Sequence, residues 1–290
     1  MERAELLTLM DLNWMEMVRE IARVTPGGWV VETEGLVMCG SPRGTIVANM
    51  AIVAGRVDVA RVRADTERCF RRVGLPFSVM TRDHADAALQ AELARGGFRE
   101  VELLTTPAMV FFAGGGTPPS PPPHVDIRSV VDDQGREAYA RVMAEAYGVY
   151  GAPKTSILSH FAPLASVIGP TKQAFLAYRN GLPVAGAILY LSHGVGGVGW
   201  VGTLPSEFGR GYGSAVTWKV VTEGLGRGAR FMNLQASPMG APVYRRMGFT
   251  TPTHYRAFLP VDRAAWPTGS RSRCPACSSS SPGPSPSSWR

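Results

Sequence analysis

At 290 residues with 45% hydrophobic side chains, the chain is long enough for one large domain or two of ordinary size. It has no apolar run of about 18 residues, so no membrane partner is expected, and Met1-Glu2-Arg3-Ala4-Glu5 alternates charge, so no signal peptide is expected either. The formal net charge of +7 comes almost entirely from arginine, Lys154, Lys172 and Lys219 being the only lysines, and with no basic-aromatic motif beside it the charge does not point to nucleic acid.

Residues 2–23 carry Leu6, Met10, Trp14, Met17, Val18 and Ile21 at three- and four-residue steps, which predicts an amphipathic helix. Pro26-Gly27-Gly28 ends it, and strand-like runs follow at 29–32, 36–39 and 45–53. A helix over 61–73, a strand over 75–80, a helix over 86–95 and strands over 100–104 and 108–112 complete this half. Within it, the polar run Thr81-Arg82-Asp83-His84-Ala85-Asp86 reads as a helix N-cap rather than a binding patch. Cys39 and Cys69 sit in apolar surroundings and read as core thiols.

The composition then changes abruptly to Gly114-Gly115-Gly116-Thr117-Pro118-Pro119-Ser120-Pro121-Pro122-Pro123, which builds neither helix nor sheet and marks a linker. The second half opens with a strand over 124–130, helices over 134–147 and 155–161, and strands over 174–178 and 183–191 joined by the turn pair Asn180-Gly181. Gly194-Val195-Gly196-Gly197 reads as a further turn, followed by a strand over 198–203, a helix over 212–225, a strand over 231–235 and a closing strand over 253–259. The end of the chain is rich in serine and proline and reads as disordered; its Cys274-Pro275-Ala276-Cys277 has metal-like spacing but no second pair, so no metal is expected. Cysteine usage favours a reducing, cytoplasmic compartment.

The stretch that carries chemistry runs from 197 to 249. An apolar strand meets Gly209-Arg210-Gly211-Tyr212-Gly213, and a helix begins there, so backbone N–H groups and the helix dipole converge on a seat for an anion. A nucleoside-triphosphate loop needs a Gly-Lys pair, and the sequence has none. A dinucleotide turn needs an acidic residue at the end of the next strand, and no Asp or Glu lies between Gly224 and Pro260.

The remaining pattern resembles the acyl-CoA site of the GNAT superfamily of N-acetyltransferases, whose pyrophosphate loop reads R/Q-x-x-G-x-G/A. Phe208-Gly209-Arg210-Gly211-Tyr212-Gly213 matches from the glycines onward, with Phe208 in place of the usual Arg or Gln. A second family pattern, N-x-x-A-x-x-x-Y-x-x-x-G-F, is met by the run from Ser237 through Tyr244 to Gly248-Phe249, with Ser237 and Gly240 replacing Asn and Ala. The resemblance covers roughly 125–259. It implies an α+β fold, a mixed and mostly antiparallel twisted sheet flanked by helices, with the CoA site between two splayed parallel strands.

It also implies an acetyl-CoA-dependent N-acetyltransferase acting on a small-molecule or protein amine. Backbone groups of Val201, Gly202, Thr203 and Leu204 would pair with the pantetheine arm. The N–H groups around Gly209, Arg210, Gly211, Tyr212, Gly213 and Ser214 would take the pyrophosphate, and Tyr244 would be the general acid toward the thiolate. Glu207, Glu145, His160, His193 and a water chain all remain open as the general base. A non-catalytic acyl-CoA sensor is the alternative, motivated by Phe208 and Ser237.

The first half echoes the second: Gly74-Leu75-Pro76-Phe77 leads to Gly97-Phe98 as Gly228-Ala229-Arg230-Phe231 leads to Gly248-Phe249. It has no glycine over 57–72 and no tyrosine before Gly97-Phe98, so it reads as a second GNAT-like copy that has lost CoA binding. The expected organisation is a degenerate domain over 1–113, a linker over 114–123, an acetyltransferase domain over 124–262 and a tail over 263–290.

Overall fold

The computed structural model describes residues 1–44, 48–71 and 74–261. The predicted tail with Cys274 and Cys277, and part of the strand predicted over 45–53, lie outside the described residues.

The first half runs α1 (Arg3–Val24), β1 (Trp29–Thr33), β2 (Leu36–Gly40), β3 (Met50–Val53), α2 (Val59–Cys69), β4 (Ser78–Arg82), α3 (Ala87–Arg95), β5 (Phe98–Glu100) and β6 (Thr106–Phe111). After a stretch without helix or strand come β7 (Val125–Ser129), α4 (Asp133–Gly148), α5 (Lys154–His160), the two-residue β8 (Ile168–Gly169), β9 (Lys172–Arg179), β10 (Leu182–Ser192) and β11 (Val195–Thr203). The chain closes with α6 (Tyr212–Gly226), β12 (Met232–Gln235), α7 (Ala241–Arg246) and β13 (Thr250–Pro260).

The strands form one continuous mixed sheet in the order β1-β2-β3-β4-β13-β6-β12-β11-β10-β9-β7. Two parallel contacts sit symmetrically within it: β3 with β4, and β11 with β12. Each is the point where a strand–helix–strand unit crosses over, through α2 in the first half and α6 in the second. The order around them is that of two copies of one fold, but the copies have exchanged their last strands. β13 from the second half pairs with β4 of the first, and β6 from the first half pairs with β12 of the second. β6 and β13 pair with each other at the centre. Ala108, Met109, Val110 and Phe111 of β6 are all buried, as expected of a strand covered on both faces.

Helix α1 lies across the joint. Trp14 stacks on Tyr255 of β13, and the buried Asn13 donates to Ser192 Oγ and the Val195 carbonyl at 2.9 and 3.1 Å. On the other side Asp11 accepts from Tyr255 Oη at 2.8 Å and from Arg82 and His84 at 3.1 Å. One helix thus ties the two halves, through neutral bonds from Asn13 and charge-assisted ones at Asp11.

Three local expectations are corrected. The strand predicted over 100–104 ends at Glu100, where pairing with β13 stops, and a 3-10 turn over Glu102–Leu104 follows with Leu103 exposed. The turn predicted at 194–197 lies one step earlier, on His193 and Gly194 with positive φ, and Val195, Gly196 and Gly197 belong to β11. Asp86 stands at the N-cap of α3 but does not cap it; its carboxylate instead grips the Arg82 backbone N–H and guanidinium at 2.8 and 2.9 Å. Burial of Arg82 makes that ion pair the stronger demand. Cys39 and Cys69 are both buried, and burial pushes the Cys39 thiol up to about 12.

Candidate active site

The parallel contact between β11 and β12 is short. Gly196 faces Met232, Gly197 faces Asn233, and no further residue of β11 pairs with β12. β11 nevertheless continues to Thr203 against β10, and β12 continues to Gln235 against β6. Between them the sheet opens, leaving the β12-facing edge of 198–203 without a strand partner among the described residues. Polar backbone atoms along such an edge need partners from elsewhere. Val201, Thr203 and Leu204 are half-buried along it, while Gly202 is buried because a Cβ there would reach Ala146 at 2.8 Å and Met143 at 2.9 Å on α4.

A bulge directs this opening. The register of β10 against β11 shifts between Gly186 and Ile188, and Trp200 opposite takes φ 48°. For a bulky non-glycine residue that conformation is strained. Tyr139 of α4 helps to hold it, donating from Oη to the Trp200 carbonyl at 2.7 Å.

Beyond Thr203 a 3-10 turn over Pro205–Glu207 leads into the glycine loop. Gly209 and Gly211 have φ 75° and 86°, and Gly211 is the N-cap of α6 without any side-chain cap. The first N–H groups of a helix have no intrahelical acceptor, and no acceptor among the described residues meets the N–H of 209–214. These groups form a concave, electropositive nest at the start of a 15-residue helix. The Tyr212 side chain itself is buried in the core beneath α6, so only its backbone reaches the nest.

The charges beside the nest are paired so as to leave it positive. Glu207 is gripped by Arg179 at 2.9 Å and approached by Arg210 at 3.5 Å. Phe208 is 46% exposed and takes no part in this pairing.

Tyr244, on the short α7, packs against Phe249 and is 9% exposed. Burial, and then the neighbouring Tyr150 phenol, raise its pKa well above that of a free tyrosine, so it stays protonated. Ser237 accepts the Gly240 N–H on its Oγ at 3.1 Å, so the serine found in place of Asn still serves the start of α7. Gly240 has a steric reason: a Cβ there would stand 2.8 Å from Tyr244 Cε2.

The four candidate bases are sorted by their surroundings. Glu207 is held by the two arginines. Glu145 is exposed and paired with Lys154 at 2.5 Å. His193 sits exposed at the β10–β11 turn, at the far end of β11 from the glycine loop. His160 is different: it is 7% exposed, lies on Trp200 with ring centroids 5.0 Å apart, and has its pKa lowered to about 4 by burial, with Lys172 adding to the effect.

The first half offers a cleft of about 1110 Å³ at the place equivalent to the β11–β12 opening, lined by Ala60 and Ala64 of α2, Ala88 and Leu89 of α3, and Asp58. Its helix start is already capped by a side chain. Asp58 caps α2, accepting the Arg61 N–H at 2.8 Å, so a carboxylate of the chain sits where the second half presents free N–H groups. Leu93, fully buried, holds the position four residues before Gly97-Phe98 that Tyr244 holds before Gly248-Phe249. Among the described residues no group of three or more His, Cys, Asp or Glu is placed to hold a metal ion, and no helix is long and apolar enough to cross a membrane.

No protein-family model and no curated protein matches the chain. Solved structures do. A GCN5-related N-acetyltransferase from Kribbella flavida is 20% identical, with a TM-score of 0.66 over 87% of this chain and 95% of that one. A GCN5-related N-acetyltransferase from Sphaerobacter thermophilus is 18% identical, with a TM-score of 0.52 over 77% and 79%. A tandem GNAT protein from the clavulanic acid biosynthesis pathway is 12% identical, with a TM-score of 0.53 over 89% and 96%. The chain has the GNAT fold, present in two copies that share one sheet.

Proposed function

We propose that the chain is an acetyl-CoA-dependent N-acetyltransferase whose second half is the catalytic unit and whose acceptor is a primary amine on a small molecule or a protein. The observation that carries this reading is the joint one: a parallel strand pair that opens after Gly197 and Asn233, next to a glycine nest with free N–H groups. Neither feature alone specifies a ligand. Together they match a long donor with an amide-bearing arm and a pyrophosphate.

Acetyl-CoA, when bound, supplies the acyl group as a thioester. The N–H groups of Gly209, Arg210, Gly211, Tyr212, Gly213 and Ser214 hold the pyrophosphate, and the Arg210 side chain, half-exposed, adds the positive charge that Phe208 lacks. Backbone groups of Val201, Gly202, Thr203 and Leu204 pair with the amides of the arm. Tyr244 holds its proton through the working pH range and gives it to the sulfur as the acyl group leaves. Asp58 argues against the same ligand in the first half, because its carboxylate would repel a phosphate at the start of α2.

The test is turnover of acetyl-CoA on a panel of primary amines by the wild type and Tyr244→Phe. Transfer by the wild type and a loss of about 10²-fold in kcat for the variant, with acetyl-CoA affinity kept, supports the reading. Acetyl-CoA binding without transfer to any amine would leave the non-catalytic sensor.

A further inference from the structure

We infer that His160 is the proton acceptor for the incoming amine, set among aromatic side chains and held by a threonine of the N-terminal half. The inference rests on the transferase reading above and assigns the base which that reading leaves open.

Thr25 fixes the tautomer of His160. His160 Nδ1 lies 2.6 Å from Thr25 Oγ1, just beyond the end of α1. Thr25 Oγ1 already gives its hydrogen to the Ile21 carbonyl at 2.7 Å, so toward His160 it has only a lone pair to offer. The imidazole proton therefore sits on Nδ1, and Nε2 carries a bare lone pair. Nε2 is buried and meets no donor among the described residues. A buried acceptor without a donor is costly, and such a cost is retained where a ligand supplies the donor.

His160 lies beside the strand that flanks the opening in the sheet. The ring lies nearly parallel to Trp200, at 23°, and Trp200 is the bulged residue of β11 that follows shortly after Gly197, the last to pair with β12. Phe161 stands edge-on to the imidazole at 4.5 Å, and Tyr147 lies 4.9 Å from Trp200 on the other side. The charged groups facing His160 are Lys172 from β9 and, paired with it at 2.9 Å, Glu20 from α1. No carboxylate among the described residues contacts the imidazole, which therefore rests neutral with the Nε2 lone pair free to take a proton. These aromatic neighbours and Lys172 favour an amine on an apolar or aromatic skeleton over a polycation.

The neutral amine forms the N–C bond as the C–S bond breaks, the nitrogen passes its proton to His160 Nε2, and the sulfur takes the proton of Tyr244. His160 then loses its proton to solvent and Tyr244 regains one.

Long-range nitrogen–proton NMR on the full chain reads the tautomer without turnover. The expected result is a neutral Nδ1–H imidazole between about pH 6 and 8, with the Nε2 resonance shifting on addition of phenethylamine but not of spermidine. In the transfer assay His160→Asn keeps an N–H toward Thr25 but has no Nε2. It should lose about 10²-fold or more in kcat while acetyl-CoA raises its Tm as much as that of the wild type. An Nε2–H tautomer, or a variant within about threefold of wild-type turnover, overturns the assignment and leaves the transferase reading standing. A wild type that binds acetyl-CoA but acetylates no amine overturns both.

Discussion

Trp14, on the first helix, lies flat against Tyr255, on the last strand, with ring centroids 4.1 Å apart and planes 12° apart. The contact joins opposite ends of the sequence, in the same place where β6 and β13 change partners. The hydrophobic core under α1 is accordingly made from both halves, taking in Val37, Ile52, Val195, Phe231 and Tyr255. Neither half can bury its own last strand as it does in the whole.

Residues 1–113 and 124–262 produced separately should therefore lack cooperative thermal unfolding, while the full chain unfolds in one transition. Trp14→Ala, which removes a fully packed indole, should cost about 3–5 kcal/mol in denaturant titrations. A half that unfolds cooperatively on its own would show that the strand exchange is not required for folding.

Gly209→Ala separates backbone conformation from packing. A Cβ at Gly209 meets nothing within 4 Å, so only its φ of 75° resists substitution, at about 1–2 kcal/mol. Stability should fall by no more than that, whereas acetyl-CoA affinity should fall about tenfold as the N–H groups turn away. Calorimetry with and without ligand measures both, and unchanged affinity would remove the nest from the site.

Gly240→Ala restores the residue usual in the family pattern and should nevertheless be harmful here. Its methyl group would press on Tyr244 Cε2 from 2.8 Å and turn the phenol. The expected outcome is a fall in kcat with acetyl-CoA affinity unchanged, separable in single-turnover and binding experiments. Full turnover would mean that the position of Tyr244 is not critical.

His160 makes stability depend on pH. Its folded pKa, lowered to about 4, lies below the 6.5 of an exposed histidine, so below pH 6.5 the unfolded chain holds a proton that the resting folded chain does not. The stabilisation is complete above pH 6.5 and is lost as pH falls from 6.5 toward 4. It amounts to roughly 3 kcal/mol. Chemical denaturation across that window should show a steeper loss for the wild type than for His160→Asn; parallel curves would contradict the buried neutral imidazole.

The glycine loop, the tyrosine and the elements around them were legible because their signals are local. Gly209, Gly211 and Tyr244 are constrained by backbone conformation and by spacing along one strand–helix–strand unit. The strand exchange was not legible, because alternation along β6 and β13 predicts strands without naming their partners. The glycines of β11 misled for a physical reason. Gly196, Gly197 and Gly199 serve close packing rather than a turn, since a Cβ there would strike Met232, Asn13 and Tyr190 respectively. The bulge at Trp200 has no sequence signature, as a tryptophan at positive φ is held by its surroundings. His160 gave only its name; its meaning came from Thr25, 135 residues away.

Isothermal titration of CoA into the full chain, beside the Gly209→Ala variant, tests whether the glycine loop of the second half is the CoA site. One CoA per chain is expected, bound by the wild type and markedly weakened in the variant, with the first half contributing no second site. No binding, two sites per chain, or equal affinity in both proteins would contradict it.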